Sequence, residues 1–251
     1  MKDSRNDFAL ALAREAGRYA KALRQEGLSV SQKAVNDFVT NADKAVEDFI
    51  HSRIAACFPD DAILGEEGGL SGGDDGWTWV VDPIDGTVNY MNGFPDYTVS
   101  IALMKCGETV FGAVCHPEAD ETFWAAKGQG AWLDGKRIGA STLPLDRGLA
   151  LVVPPHRHHE LLDGFIEGAK RLYGLVSDMR SIGSAACSLC YVACGRCSLY
   201  YEWGLKIWDI AAGVLIAREA GLTVRLEEGP IGTNVLAAAA GDIDRILGAI
   251  K

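Results

Sequence analysis

The chain has no apolar run long enough to span a bilayer, no secretory leader, no internal repeat and no low-complexity stretch. Its N-terminal apolar residues are broken by Asp7, Arg14, Glu15 and Arg18, the pattern of an amphipathic helix and not of a leader. Basic residues are the scarce charge: 24 Lys and Arg stand against 34 Asp and Glu, a net charge of −10. That balance argues against nucleic-acid and anionic-membrane partners, since both need basic patches. Seven cysteines is an odd number. With no leader, it points to reduced thiols in a cytoplasm and not to a disulfide framework. No Ser-His-Asp or Cys-His arrangement is apparent, which speaks against nucleophilic catalysis.

What is present is a set of acids beside glycine at the ends of apolar elements. Trp79-Val80-Val81-Asp82-Pro83-Ile84-Asp85-Gly86-Thr87 is the sharpest case. The run Trp77 to Val81 reads as a buried strand, and Pro83 and Gly86 are expected to stop it in a tight turn. Two carboxylates about 4 Å apart repel by about 1 to 4 kcal/mol, depending on the local dielectric. A cation relieves that repulsion, and Mg²⁺ is the natural partner of all-oxygen ligands. Ala62-Ile63-Leu64-Gly65-Glu66-Glu67-Gly68-Gly69 repeats the theme, and Trp208-Asp209-Ile210-Ala211-Ala212-Gly213 places an acid at the start of an alanine-rich helix, where the helix dipole favours it. Each cluster alone is also the pattern of a solvated loop; three together are harder to read that way. The negative net charge does not exclude a phosphate substrate, because bound divalent cations would reverse the field locally.

Along the chain, Asn6 to Gln25 has helical periodicity and is closed by Gly27. Gly27 to Asp37 is polar and reads as a loop. Thr40 or Asn41 caps a second helix that runs to about Phe58. Two strands follow, each ending in an acidic cluster, with a loop from Gly68 to Gly76 between them. Tyr97 to Lys105 pairs with Thr109 to His116, and Glu121 to Ala126 with Gly130 to Leu133, with Asp134-Gly135 as a turn. Gly139 to Arg147 is the best boundary. Beyond it strands (Leu149 to Val153, Leu175 to Arg180, Ser198 to Glu202) alternate with helices (His158 to Arg171, Gly183 to Cys194, Lys206 to Ala220). The pattern predicts an N-terminal α+β lobe over 1–146 and a C-terminal α/β lobe over 147–251, sharing one cleft in one compact unit.

Four motifs in order, Asp37-Phe38-Val39-Thr40-Asn41-Ala42-Asp43, Gly65-Glu66-Glu67, Asp82-Pro83-Ile84-Asp85-Gly86-Thr87 and Trp208-Asp209-Ile210-Ala211-Ala212-Gly213, resemble the inositol monophosphatase family. That family belongs with fructose-1,6-bisphosphatase to the Mg²⁺-dependent, lithium-sensitive phosphatases. The resemblance implies a layered αβαβα sandwich of the sugar-phosphatase type, two to three Mg²⁺ per subunit and a homodimer. It also implies hydrolysis of a small phosphate monoester by metal-activated water, without a phosphoenzyme. It assigns Glu66, Asp82 and the carbonyl of Ile84 to one metal and Asp82, Asp85 and Asp209 to a second, with Glu67 at a weaker third site or supporting Glu66. Most ligands then fall in the N-terminal lobe, with Asp209 and the substrate contacts in the C-terminal one.

By the same resemblance, Glu66, Thr87 and Asp43 are catalytic: Thr87 positions and deprotonates the attacking water, and Asp43 holds its hydroxyl. A plainer reading makes Thr87 the cap of the following helix. Amides of Gly86 and Thr87 would point at phosphate oxygens. On the substrate side, Asp85, Gly183, Ser184, Ala185, Glu202 and Asp209 are expected to meet the leaving group, Glu202 as an acceptor from ring hydroxyls. The alternative for Glu202 is a surface acid at a strand end. Lys33 matches the family's loop lysine and reads as solvated. The implied substrate is a small phosphorylated polyol, first myo-inositol 1-phosphate. Histidinol phosphate, fructose 1,6-bisphosphate and 3′-phosphoadenosine 5′-phosphate are the alternatives. The family's ring-contacting serine should fall near Val153-Pro154-Pro155-His156, where there is none. A regulatory binding protein with vestigial catalysis is the reading from another class.

Cys187, Cys190, Cys194 and Cys197 have neither zinc-ribbon nor iron–sulfur spacing and describe one face of a helix, so they read as core. His156, His158 and His159 read as an exposed patch before a helix. A haloacid-dehalogenase mechanism needs an aspartate nucleophile where Pro83 stands.

Overall fold

The computed structural model describes residues 4–73 and 76–250. Helix α1 (Ser4–Glu26) leads to a hairpin of β1 (Val30–Ala34) and β2 (Asp37–Thr40), then to α2 (Asn41–Cys57). Strands β3 (Ala62–Gly65), β4 (Gly69–Gly72) and β5 (Trp77–Asp85) precede the short helix α3 (Thr87–Met91). Strands β6 (Thr98–Lys105), β7 (Glu108–His116), β8 (Glu121–Ala126), β9 (Ala131–Leu133) and β10 (Lys136–Ile138) then run as a meander. The second half holds β11 (Leu149–Val153), α4 (Leu162–Tyr173), β12 (Asp178–Arg180), α5 (Ala185–Ala193), β13 (Leu199–Leu205) and α6 (Ile207–Glu219). It closes with β14 (Leu222–Glu228), β15 (Thr233–Ala239) and α7 (Ala240–Ile250).

Apart from the hairpin, two sheets form. One has eight strands in the order β10-β9-β8-β7-β6-β5-β3-β4, and the other five in the order β12-β11-β13-β15-β14. Side chains alternate across a strand, so each sheet offers two faces. Trp79, Val81, Ile101, Leu103 and Phe111 pack on α1 and α2. Val80, Ala102, Val114 and Phe123, from the other face of the same strands, pack on α5 and α6 together with Leu151, Val153, Tyr200 and Val235 of the second sheet. Ala150, Val152, Leu199, Tyr201 and Leu236 face outward onto α4 and α7. The layers are therefore helices, sheet, helices, sheet, helices: the αβαβα sandwich. Helix α6 is buried continuously from Ile210 to Ala217, because a middle-layer helix meets a sheet on both sides and needs no polar face.

Several local expectations change. Residues 30–34 and 37–40 form a ribbon and not a loop; β1 is exposed at every residue, so no apolar alternation marks it. Within the loop expected from Gly68 to Gly76, β4 pairs antiparallel with β3, and residues 74 and 75 lie outside the described residues. The strand expected from Leu175 shortens to Asp178–Arg180, and the helix expected from His158 starts at Leu162 after a 3₁₀ turn. Strands β10, β14 and β15 and helix α7 answer to no expected element. Among the described residues no helix is long and apolar enough to cross a membrane.

Candidate active site

The strand β5 does not stop at Pro83. It pairs with β6 through Asp82↔Ser100 and again through Asp85↔Thr98, three steps on one strand against two on the other. This is a bulge, placed where proline has no N–H to give the ladder. In a regular strand, residues 82 and 85 would face opposite sides. The extra residue turns both acids into one cleft. Gly86 follows with φ of 94°, and a Cβ there would lie 3.1 Å from the Gly183 carbonyl oxygen, so the turn needs glycine twice over.

The acids arrive from separate layers. Glu66 follows β3, and its amide donates to the Val81 carbonyl at 3.2 Å, extending the parallel β3–β5 pairing. Asp209 stands in the first turn of α6 and accepts from the Lys206 amide at 2.6 Å. Carboxylate oxygens of Asp82, Asp85 and Asp209 lie within 4.8 Å of one another. Oxygens on an octahedral Mg²⁺ stand about 2.9 to 4.2 Å apart, from bonds of about 2.1 Å. The donor set is all oxygen, which fits magnesium and not a softer metal. Glu66 lies outside that trio. Lys33, on β1, bonds Glu67 and stands 3.5 Å from Glu66, so it is an ion-pairing residue and not a solvated one. Burial opposes its charge, but the bond to Glu67 and the charge of Glu66 hold its ammonium above the ordinary value.

Crowding perturbs the acids. Burial, reinforced by the charge of Asp209, pushes Glu66 up to about 8. Burial and Asp85 push Asp209 up to about 7. Asp82, buried beside Glu66 and Asp85, is raised well above the carboxylate range. Such a site favours either protons or a cation.

Asp43 belongs first to the start of α2. Thr40 caps that helix, and Asp43 accepts in return from the Thr40 amide at 2.8 Å. Its second oxygen accepts from the Thr87 hydroxyl at 3.0 Å, with the Ile84 carbonyl 3.1 Å from the same hydroxyl. Thr87 makes no cap; Gly86 holds the N-cap position of α3. Burial raises the Asp43 carboxyl above its usual range despite these donors.

Ser184 and Ala185, expected on the substrate side, also bind Asp85. The Ser184 hydroxyl (2.5 Å) and the Ala185 (3.1 Å) and Ala186 (2.8 Å) amides donate to Asp85, as does Thr98 at 3.2 Å. The start of α5 thus holds the acid, and the Ser184 hydroxyl proton is committed to it. Gly183 and Ala185 still line the cleft, of about 380 Å³, together with Glu66, Asp82, Asp85 and Asp209. Glu202 is no surface acid: it lies inside β13, 7% exposed, lines the cleft and accepts from Tyr200 at 2.6 Å. Burial raises it well above its ordinary value.

Two features escaped the sequence. Glu47, buried in α2, accepts from the Glu67 amide at 2.9 Å and the Gly68 amide at 2.6 Å, fixing the turn that carries Glu66. Its position four residues after Asp43, on the same helix face, was the available signal. Asp96, His116 and Cys187 also come together within 4.8 Å, an Asp-His-Cys grouping the sequence did not reveal. Burial holds the Cys187 thiol well above its ordinary value and His116 below its own, so burial favours the neutral form of both groups. Cys187, Cys190 and Cys197 are buried and Cys194 is half-buried, all unpaired, but α5 ends at Ala193, so only Cys187 and Cys190 share its helical face and the expected stripe does not extend to Cys194 and Cys197.

A five-layered sandwich with acids converging on a cleft between its sheets defines the sugar-phosphatase class. The model of the inositol monophosphatase family matches residues 1–245, and the chain belongs to that family. It is 41% identical over 222 residues to Nus factor SuhB of Vibrio cholerae, covering 87% of this chain and 83% of that one. Extragenic suppressor protein SuhB of Bartonella henselae superposes with a TM-score of 0.90 at 33% identity, over 96% of each chain. An IMPase of Thermotoga maritima superposes with a TM-score of 0.89 at 30% identity, over 99% of this chain and 97% of that one.

These relatives correct one expectation. Nus factor is a name from transcription, so the exclusion of a nucleic-acid partner does not stand. The exclusion rested on net charge, which counts buried acids as though they were surface. Asp43, Glu47, Asp61, Asp82, Asp85 and Glu202 are all buried.

Proposed function

We propose that the chain is a Mg²⁺-dependent phosphomonoesterase acting on a small phosphate ester, with myo-inositol 1-phosphate as the reference substrate. The observation that carries this reading is the convergence of Asp82, Asp85 and Asp209 within 4.8 Å, in a cleft that the Thr87–Asp43 pair also reaches. Glu66, Asp82 and the Ile84 carbonyl would hold one Mg²⁺, and Asp82, Asp85 and Asp209 a second. Bound there, magnesium supplies charge for the phosphoryl oxygens and lowers the pKa of water.

The chain's own residues supply orientation and proton handling. Thr87 leans its hydroxyl proton on Asp43, leaving an oxygen lone pair to accept from the attacking water. Glu66 is the second acceptor for that water. Gly86, Thr87 and Val88 line the cleft, and first-turn amides of α3 have no acceptor within the helix, so they are available to phosphate oxygens. Glu202, held by Tyr200, is aimed at substrate hydroxyls, and Gly183 leaves room beside it. Attack is direct, with no phosphoenzyme.

Phosphate release from a panel of esters, with Mg²⁺ and with chelator, tests the reading. Hydrolysis that requires Mg²⁺ supports it, and hydrolysis that survives complete metal removal defeats it. The name borne by the relatives favours a second reading, a regulatory protein with vestigial catalysis. Calorimetry separates the two, because a vestigial site would not bind Mg²⁺.

A further inference from the structure

The cleft is lined by five acids, Glu66, Asp82, Asp85, Glu202 and Asp209, and by a single Arg or Lys, Arg157. Arg157 sits four residues beyond the end of β11, on the segment where the ring-contacting serine of related enzymes was expected and is missing. One guanidinium nitrogen pairs with Asp37 of the β1–β2 hairpin at 3.2 Å, and the side chain is 39% exposed. Among the described residues it has no other hydrogen-bond or ion-pair partner, although the group carries five donors. It lines the same cleft as Glu66, Glu202 and Asp209, and its positive charge favours their ionised forms.

A neutral polyol does not use this group. Hydroxyls find their acceptor in Glu202, whereas a planar guanidinium fork matches carboxylate or phosphate oxygens. The hairpin's own Asp37 already puts a carboxylate against it. We propose that Arg157 recognises a second anionic group on the ester, a carboxylate or a further phosphate, so that small esters with two anionic groups are preferred to polyol phosphates whose only charged group is the scissile phosphate. The same charge disfavours an ester that carries an ammonium group there, as histidinol phosphate does. This inference rests on the cleft being a phosphatase site.

Two matched pairs test it: 2-phosphoglycerate against glycerol 2-phosphate for the carboxylate, and fructose 1,6-bisphosphate against fructose 1-phosphate for the phosphate. Each is assayed at saturating Mg²⁺ with the unaltered chain, Arg157→Met and Asp37→Asn, beside myo-inositol 1-phosphate. In the unaltered chain, kcat/KM favours the doubly anionic member of at least one pair by about tenfold. The pair that responds identifies the second group. Arg157→Met brings that ratio close to one, and Asp37→Asn, which frees the guanidinium, keeps or raises it. Ratios at or below one in both pairs overturn the inference, as does a ratio unchanged in Arg157→Met. An arginine that only latched the hairpin would lower both members of a pair alike. If the esters with one anionic group, inositol phosphate included, turn over as well as their partners, only this inference falls. If no ester is hydrolysed, it falls together with the phosphatase reading.

Discussion

The Thr87 hydroxyl lies 3.0 Å from Asp43 Oδ1, across 44 residues of chain. One belongs to the turn after β5 and the other to the first turn of α2. If they act as one unit on the attacking water, their substitutions are not additive. Asp43→Asn and Thr87→Ala should each lower kcat by about tenfold to hundredfold. The double variant should be no worse than the poorer single one. A double-mutant cycle on kcat, with thermal melts to exclude unfolding, measures this. Fully additive losses would separate the two residues.

Asp85→Asn and Asp209→Asn remove charge from the trio while keeping the side-chain shape. Each should lower kcat by more than about a hundredfold and weaken Mg²⁺ binding in calorimetry. Normal turnover in either variant would remove that residue from the metal centre.

The pH dependence of metal binding follows from the raised acids. In the metal-free chain, Glu66 titrates at about 8 and Asp209 at about 7, against ordinary values of 4.5 and 3.8. A raised folded-state pKa gives stability that is complete below the unfolded value and lost as pH rises through the folded one. The metal-free protein should therefore lose these contributions between about pH 4 and pH 8. Mg²⁺ takes the place of the protons, so the increase in Tm on adding it should be larger at about pH 8.5 than at about pH 6. Melts at the two pH values, with Mg²⁺ and with chelator, check the sign. A larger increase at the lower pH would contradict it.

Away from the cleft, Asp61 is 2% exposed. It accepts from Arg5 at 2.9 and 2.8 Å and from the Trp79 indole at 2.7 Å, tying α1 to β5. Asp61→Ala leaves buried donors without an acceptor and should destabilise the fold by about 3 kcal/mol. Urea unfolding measures the loss, while Mg²⁺ affinity, set elsewhere, should be little changed. A loss under about 0.5 kcal/mol, the size of an ordinary surface substitution, would show that the network does not hold α1.

Most of the individual elements were legible, while the layering came only from the family resemblance. The alternation in Trp79-Val80-Val81 and in Ala150-Leu151-Val152 marks strands buried on both faces, and the unbroken apolar stretch of α6 marks a helix between two sheets. Thr40 and Asp43 announce the start of α2 by their spacing. Elements without a buried apolar face were not legible. Strand β4 is a glycine-rich edge strand and β1 is exposed throughout, so neither leaves an apolar pattern. Ser184 was readable as a hydroxyl near the substrate; that its proton goes to Asp85 depends on how α5 meets β5.

The amino-acid sequence by itself determined the inventory: which acids exist, which local elements carry them, and which family they belong to. Periodicity, capping and turn chemistry, which act over a few neighbouring residues, mark the elements, and the resemblance of four ordered motifs marks the family. Only the tertiary structure decided that the acids meet. Asp82 and Asp85, an odd number apart, would face opposite sides of a regular strand, and the bulge beside Pro83 brings them into one cleft. Packing of α6 between the two sheets then delivers Asp209 to them. Such distances are set by layers closing on one another, and no span of adjacent residues encodes them.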